Sequence, residues 1–185
     1  MHEIIMAGFG GQGIMSMGQL LTYAGMLEEK GVTWMPSYGP EMRGGTANCT
    51  VVITEEEQVG SPIVSNPDIL VAMNYPSVLK FKESIKEKGY LIYNSSLIEN
   101  EVEVDSVKDV SIYPVPANDI ANELGNPRIA NMVALGALIE LTHVVTIESV
   151  LESLKKVLPE RRHNLIPLNE KALRKGAEMV KTSTA

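Results

Sequence analysis

The spacing of apolar residues changes along the chain, and each change marks an element. Ile4, Ile5, Met6 and Ala7 form a short unbroken apolar run, which predicts a buried strand over residues 2–7. Over residues 11–30 the apolar positions Ile14, Met17, Leu21 and Ala24 follow a helical period, and Gly31 after Lys30 reads as the helix stop. Val32–Met35 predicts a second strand. Residues 36–45 hold two prolines and three glycines, which excludes a regular element there. Thr46–Thr54 is strand-like, Glu55–Gln58 is a charged turn, and Val59–Val64 reads as a returning strand, so 46–64 predicts an inserted hairpin.

Asn66-Pro67-Asp68 is turn chemistry. Ile69–Met73 then predicts a central strand. A helix opens at Tyr75 with Val78, Phe81 and Ile85 inward and ends at Gly89. Tyr90–Tyr93 and Val110–Val115 are strands, separated by a charged excursion over 97–109 with a short strand of its own. Pro116 begins a short helix to about Leu124. Arg128–Leu141 is apolar nearly all round, which predicts a central helix or one lying under another subunit; Asn131 is its polar exception, read as structural. Thr146 caps a helix with Val150, Leu151 and Leu154 inward, and Pro159 ends it. Asn169 is positioned to cap the last helix. Gly176 inside that helix costs about 1 kcal/mol relative to Ala, so its presence predicts close packing. Together these elements give an α/β fold, a three-layer α/β/α single domain with a partly mixed sheet over residues 1–181, and a frayed tail at 182–185.

Composition narrows the function. The chain has 185 residues, enough for one α/β domain with a proper core. Its net charge of −7 argues against nonspecific nucleic-acid or anionic-membrane binding. No apolar run spans a bilayer, the N-terminus has no signal-peptide pattern, and a single cysteine, Cys49, fits a cytoplasmic location. One cysteine forms neither an intrachain disulfide nor a four-cysteine iron–sulfur site. His2, His143 and His163 lack metal-ligand spacing, and no residue is assigned a catalytic role or a metal.

Two loops carry the candidate chemistry. Gly8-Phe9-Gly10-Gly11-Gln12-Gly13 sits between the first strand and the first helix and satisfies G-x-G-x-x-G, a Rossmann-like start. The dinucleotide reading needs an acidic residue closing the second strand, and Trp34 to Tyr38 supplies none. Exposed N–H groups at a helix N-terminus still suit an anion. The second loop is Ser37-Tyr38-Gly39-Pro40-Glu41-Met42-Arg43-Gly44-Gly45, in which the Arg43 guanidinium suits a phosphate, a carboxylate or a Glu of a neighbouring chain. If the first two strands are parallel, both loops leave the same end of the sheet, where open α/β sheets bind ligands. Gly10, Gly11, Gln12, Gly13, Tyr38, Glu41, Arg43 and Gly44 are therefore the candidate residues of one surface.

These two loops, with Asn131-Met132-Val133-Ala134-Leu135-Gly136 and Ile166-Pro167-Leu168-Asn169, make the whole chain resemble the gamma subunit of 2-oxoacid:ferredoxin oxidoreductases. The SYGPEMRGG loop followed by TANCTVVIT is most similar to the 2-oxoglutarate branch, with the pyruvate and indolepyruvate branches related. The resemblance implies an enzyme that decarboxylates a 2-oxoacid oxidatively, forms an acyl-CoA and reduces ferredoxin. It implies thiamine diphosphate, Mg and [4Fe-4S] clusters on partner alpha, beta and ferredoxin-like subunits, with coenzyme A near the present chain, so that the two-loop surface lies at the coenzyme A entrance or at a subunit interface. A homodimer of the isolated chain is left open. Two other readings compete: a free-standing NAD(P) enzyme, and a binding module with no catalytic role.

Overall fold

The computed structural model describes residues 1–38, 46–55, 59–99, 102–103 and 109–181. The strands are β1 (His2–Phe9), β2 (Gly31–Tyr38), β3 (Thr46–Thr54), β4 (Ile69–Ala72), β5 (Tyr90–Asn94) and β6 (Ser111–Val115). The helices are α1 (Ile14–Leu27), α2 (Tyr75–Phe81), α3 (Ala117–Glu123), α4 (Ala130–Thr142), α5 (Ile147–Val157) and α6 (Ile166–Lys181). The strands form one six-stranded sheet in the order β2-β3-β1-β4-β5-β6. β1, β4, β5 and β6 are parallel to one another, and β3 runs antiparallel to both β1 and β2. The expected partly mixed sheet is thus present.

The layers follow from the direction of each crossover. α1 leads from β1 towards β2 on one side, and α2 leads from β4 to β5 on the other. Right-handed crossovers in opposite directions put these helices on opposite faces. The strands alternate accordingly. Ile4 and Met6 of β1, Ile69 and Val71 of β4 and Ile92 of β5 join the larger core with α1, α3, α4, α5 and α6. Ile5, Ala7, Leu70, Ala72 and Leu91 join a smaller core with Val78 of α2, Ile85, Ile98 and Val102. Burial on both faces is why these strands read as unbroken apolar runs.

Six expectations need correction. The hairpin partner of β3 is β2, not Val59–Val64: β1 fills one edge of β3 and β2 the other, from Phe9↔Thr46 and Tyr38↔Ala47 onward. Residues 59–64 instead cross the face of β3, where the Thr50 hydroxyl donates to the Pro62 carbonyl at 2.8 Å. β2 also extends through Pro36 to Tyr38, which is possible because β2 is an edge strand and the missing N–H can face away from the sheet. The helix from Tyr75 is short. Beyond Phe81 the Lys86 N–H reaches the Pro67 carbonyl at 2.9 Å, and Ile85 is buried in an extended conformation. Asn169 lies inside α6 and donates to the Leu165 carbonyl at 2.8 Å, so it does not cap that helix. α1 ends at Leu27 through Glu29 in a left-handed conformation (φ 57°), and Gly31 opens β2 rather than stopping the helix. The described part of 97–109 contains no strand; residues 100–101 and 104–108 lie outside the described residues.

α4 is the centre of the larger layer: every residue from Ala130 to Ile139 is buried. It meets α6 at two glycines. A Cβ on Gly136 would lie 1.9 Å from the Leu173 carbonyl oxygen, and one on Gly176 would lie 1.8 Å from that of Val133. The close packing expected at Gly176 is a backbone-to-backbone contact. Thr146 caps α5 as expected, its hydroxyl accepting from the Ser149 N–H at 3.2 Å.

Candidate functional site

The turn between β1 and α1 is built from inside. The Gln12 N–H closes on the Phe9 carbonyl at 3.1 Å. Gly11 (φ 97°) and Gly13 (φ 75°) take left-handed conformations that disfavour any side chain. The Gln12 side chain folds back into the turn. Its Oε1 accepts from the Phe9 N–H at 2.7 Å and from Asn74 Nδ2 at 3.3 Å, and its Nε2 donates to the Met73 carbonyl at 3.1 Å. This latch spans the ends of β1 and β4, where the chain's crossovers diverge. On the other side, Asn131 Nδ2 of α4 donates to the Gly13 carbonyl at 3.3 Å. Asn131 is thus a backbone brace, in keeping with its structural reading.

Asn74 is the residue that the sequence reading missed. Its Oδ1 accepts from the Ser77 N–H at 2.9 Å, which caps α2 while its amide braces Gln12. The signal was present as Asn followed by a Pro in the first helical turn. Asn94 repeats the device at the end of β5, its Oδ1 accepting from the Ala117 N–H at 3.2 Å at the start of α3. Amide side chains therefore fasten the carboxyl ends of three parallel strands to the helices beside them.

What faces outward is backbone. Gly10 and Gly11 are exposed, and a Cβ on either would meet nothing within 4 Å. α1 begins at Gly13 with no side-chain cap and no acidic residue in its first turn, so its positive end is uncompensated. A cavity of about 330 Å³ opens here, lined by Phe9, Gly10, Gly11, Gly13, Ile14, Met15, Ser16 and Ala47. Its far wall is the start of β3. The pairs Phe9↔Thr46 and Tyr38↔Ala47 fix both ends of the second loop beside the first. The condition for convergence holds: β1 and β2 are parallel, since each is antiparallel to β3. Glu41, Arg43 and Gly44 lie outside the described residues, and only the backbone of Tyr38 is described.

The dinucleotide geometry fails on topology as well as on sequence. In that fold the ribose-binding acid ends the strand next to β1. Here antiparallel β3 occupies that place and β2 lies one strand further out. Cys49, in β3, is fully buried, and burial pushes its thiol up to about 11, which leaves it inert as a nucleophile at neutral pH. Among the described residues no three His, Cys, Asp or Glu side chains converge as a metal site, and no helix is long and apolar enough to cross a membrane.

The chain is thus a mixed α/β/α domain with an antiparallel strand inserted beside β1. The family model of pyruvate ferredoxin/flavodoxin oxidoreductase matches residues 3–179, and the chain belongs to that family. It is 39% identical to the 2-oxoglutarate synthase subunit KorC of Methanocaldococcus jannaschii, over 97% of this chain and 94% of that one. It is also 39% identical to the ketoisovalerate oxidoreductase subunit VorA of Methanothermobacter thermautotrophicus, over 95% of this chain. There the chain spans only 36% of the relative's length. Among solved structures, 2-oxoglutarate:ferredoxin oxidoreductase from Magnetococcus marinus, with 2-oxoglutarate, coenzyme A and succinyl-CoA bound, superposes with a TM-score of 0.85 at 27% identity. That match covers 98% of this chain and 31% of the other.

Proposed function

We propose that the chain is the gamma subunit of a 2-oxoacid:ferredoxin oxidoreductase, with 2-oxoglutarate as the favoured substrate. It works in the cytoplasm beside alpha, beta and ferredoxin-like subunits, as one domain over residues 1–181. Full-length similarity to a subunit named for 2-oxoglutarate synthase supports this reading. Thiamine diphosphate, Mg and [4Fe-4S] clusters belong to the partner chains, because a single buried cysteine is the wrong donor set for a cluster.

The chain's own contribution is the surface made by Gly10–Gly13 and Tyr38–Gly44. One observation supports this: the strand register brings Tyr38 and Thr46, the ends of the second loop, to the same sheet end as the first loop, where the cavity opens at the uncapped start of α1. That site fits a phosphate of coenzyme A, whose charge would meet the N–H groups of the first turn of α1, with the Arg43 guanidinium as second donor. A family structure with coenzyme A bound is consistent with the assignment. The test is Arg43→Ala in the assembled complex. The KM for coenzyme A should rise about tenfold with assembly unchanged, as expected for a lost charge-assisted contact. An unchanged KM together with unchanged assembly would refute the site.

A further inference from the structure

A second cleft lies on the helical side of the domain, between α1, α4, α5 and the turn that leads into α6. Its volume is about 440 Å³. Its floor is apolar: Leu20, Met132 and Leu154 are almost completely buried, and Leu158 is half-buried. Its rim carries Arg128 and Arg162, both exposed, and no carboxylate is among the residues that line it. Neither guanidinium has an ion-pair partner among the described residues.

The neighbouring cleft between α1, α5 and α6 differs in kind. It holds Glu148, Glu152, Lys155, Lys156 and Glu170, and every one of these charges but Lys156 is paired among the described residues. Arg174 bridges Glu148 at 3.2 Å and Glu170 at 2.9 Å, and Lys155 meets Glu152. That is a self-compensated, solvated face. The Arg128–Arg162 cleft has uncompensated positive charge in a chain of net charge −7. Arginine over an apolar floor is the composition that protein interfaces select, whereas lysine and glutamate are depleted there. A planar guanidinium also binds a carboxylate through two parallel hydrogen bonds.

We infer that this cleft docks an acidic segment of a partner polypeptide. Arg128 and Arg162 bind its Asp or Glu carboxylates, and the Leu20–Met132–Leu154–Leu158 floor takes an adjoining aliphatic or aromatic side chain. The inference rests on the subunit reading above but concerns a different face from the two glycine loops.

The test uses the full chain and the remaining purified subunits of its complex, with association followed by sedimentation under anaerobic conditions. Reversing both charges, Arg128→Glu with Arg162→Glu, should weaken association at least about tenfold, and more at low salt than at high salt. Circular dichroism and the thermal midpoint of the chain alone should not change, because both side chains are exposed. Lys156→Glu, on the self-compensated face, should leave association unaltered. In the complex, the Arg162→Lys chain coupled with a carbodiimide should give an amide crosslink from that position to a partner Asp or Glu. Unweakened association of the double variant overturns the inference alone. So does a double variant that loses 8-anilinonaphthalene-1-sulfonate binding while association is unchanged, which would make the cleft a small-molecule site. If the unaltered chain itself does not associate, the subunit reading fails and the inference falls with it.

Discussion

Gly176→Ala sets two physical effects against each other, and the structure decides between them. Helix propensity alone favours alanine by about 1 kcal/mol in the interior of α6. Packing opposes it: the added Cβ would lie 1.8 Å from the Val133 carbonyl oxygen. An ordinary carbon–oxygen contact is about 3.3 Å, so the helices would have to separate locally by roughly 1.5 Å. The obstructing atom is backbone, which no rotamer change can clear. α4 has no room to retreat, since every residue from Ala130 to Ile139 is buried. Overpacking of this kind costs up to about 3 kcal/mol, which leaves a net loss of about 2 kcal/mol after the propensity gain. For a domain of this size that is a fall in thermal midpoint of roughly 4–8 °C. Gly136→Ala, facing the Leu173 carbonyl at 1.9 Å, should behave alike. The double variant should cost less than the sum, because separation forced by one methyl makes room for the other. Circular dichroism melts and urea titrations measure all three. A midpoint for Gly176→Ala equal to or above that of the parent would refute the reasoning, since propensity would then have won.

Two more outcomes follow from the site. Gln12→Ala leaves the Phe9 N–H and the Met73 carbonyl without their partner, and should cost about 2 kcal/mol by chemical denaturation, with faster hydrogen exchange at Phe9. Cys49 should resist thiol reagents in the native chain. Because burial holds its folded pKa at about 11, above the ordinary thiol value of 9.0, its contribution to stability is fully present below pH 9 and is lost as the pH rises towards 11. That loss amounts to about 3 kcal/mol. Cys49→Ala should remove this component of alkaline destabilisation, and identical alkaline titrations for the two chains would count against it.

The helical half of the fold was open to reading because each helix carries its own signal. α4 is apolar on every side and is buried on every side; Thr146 announces the start of α5. Strand order was harder. Thr46–Thr54 sends Cys49, Val51 and Ile53 into the larger core and Thr50 towards Pro62, but a pattern of faces does not say which two strands pair with its edges. The sequence reading looked forward to Val59–Val64, whereas both neighbours, β1 and β2, come earlier in the chain. Pro36 misled for a related reason. It breaks a central strand but is admissible at an edge, and edge position depends on the whole sheet. Each outer strand in fact carries a proline, Pro36 in β2 and Pro114 in β6, which blunts both edges against further pairing.

The glycine turn shows how one motif can serve two different ends. In a dinucleotide site the glycines let a pyrophosphate approach, and the acid at the end of the second strand holds the ribose. Here β3 displaces that second strand by one position, about 4.8 Å further from β1, so the two halves of such a site are separated. Gln12 then fills the crevice between β1 and β4 from within, and Asn131 holds the turn from the helical side. The geometry that remains is a turn that presents the backbone at Gly10 and Gly11 and the first turn of α1, with Ser16 exposed beside it. Among the described residues that line the cavity, none carries a charge. Selectivity must come from what stands beside it, which is why the second loop, fixed alongside by the register of β2 and β3, carries the candidate charge.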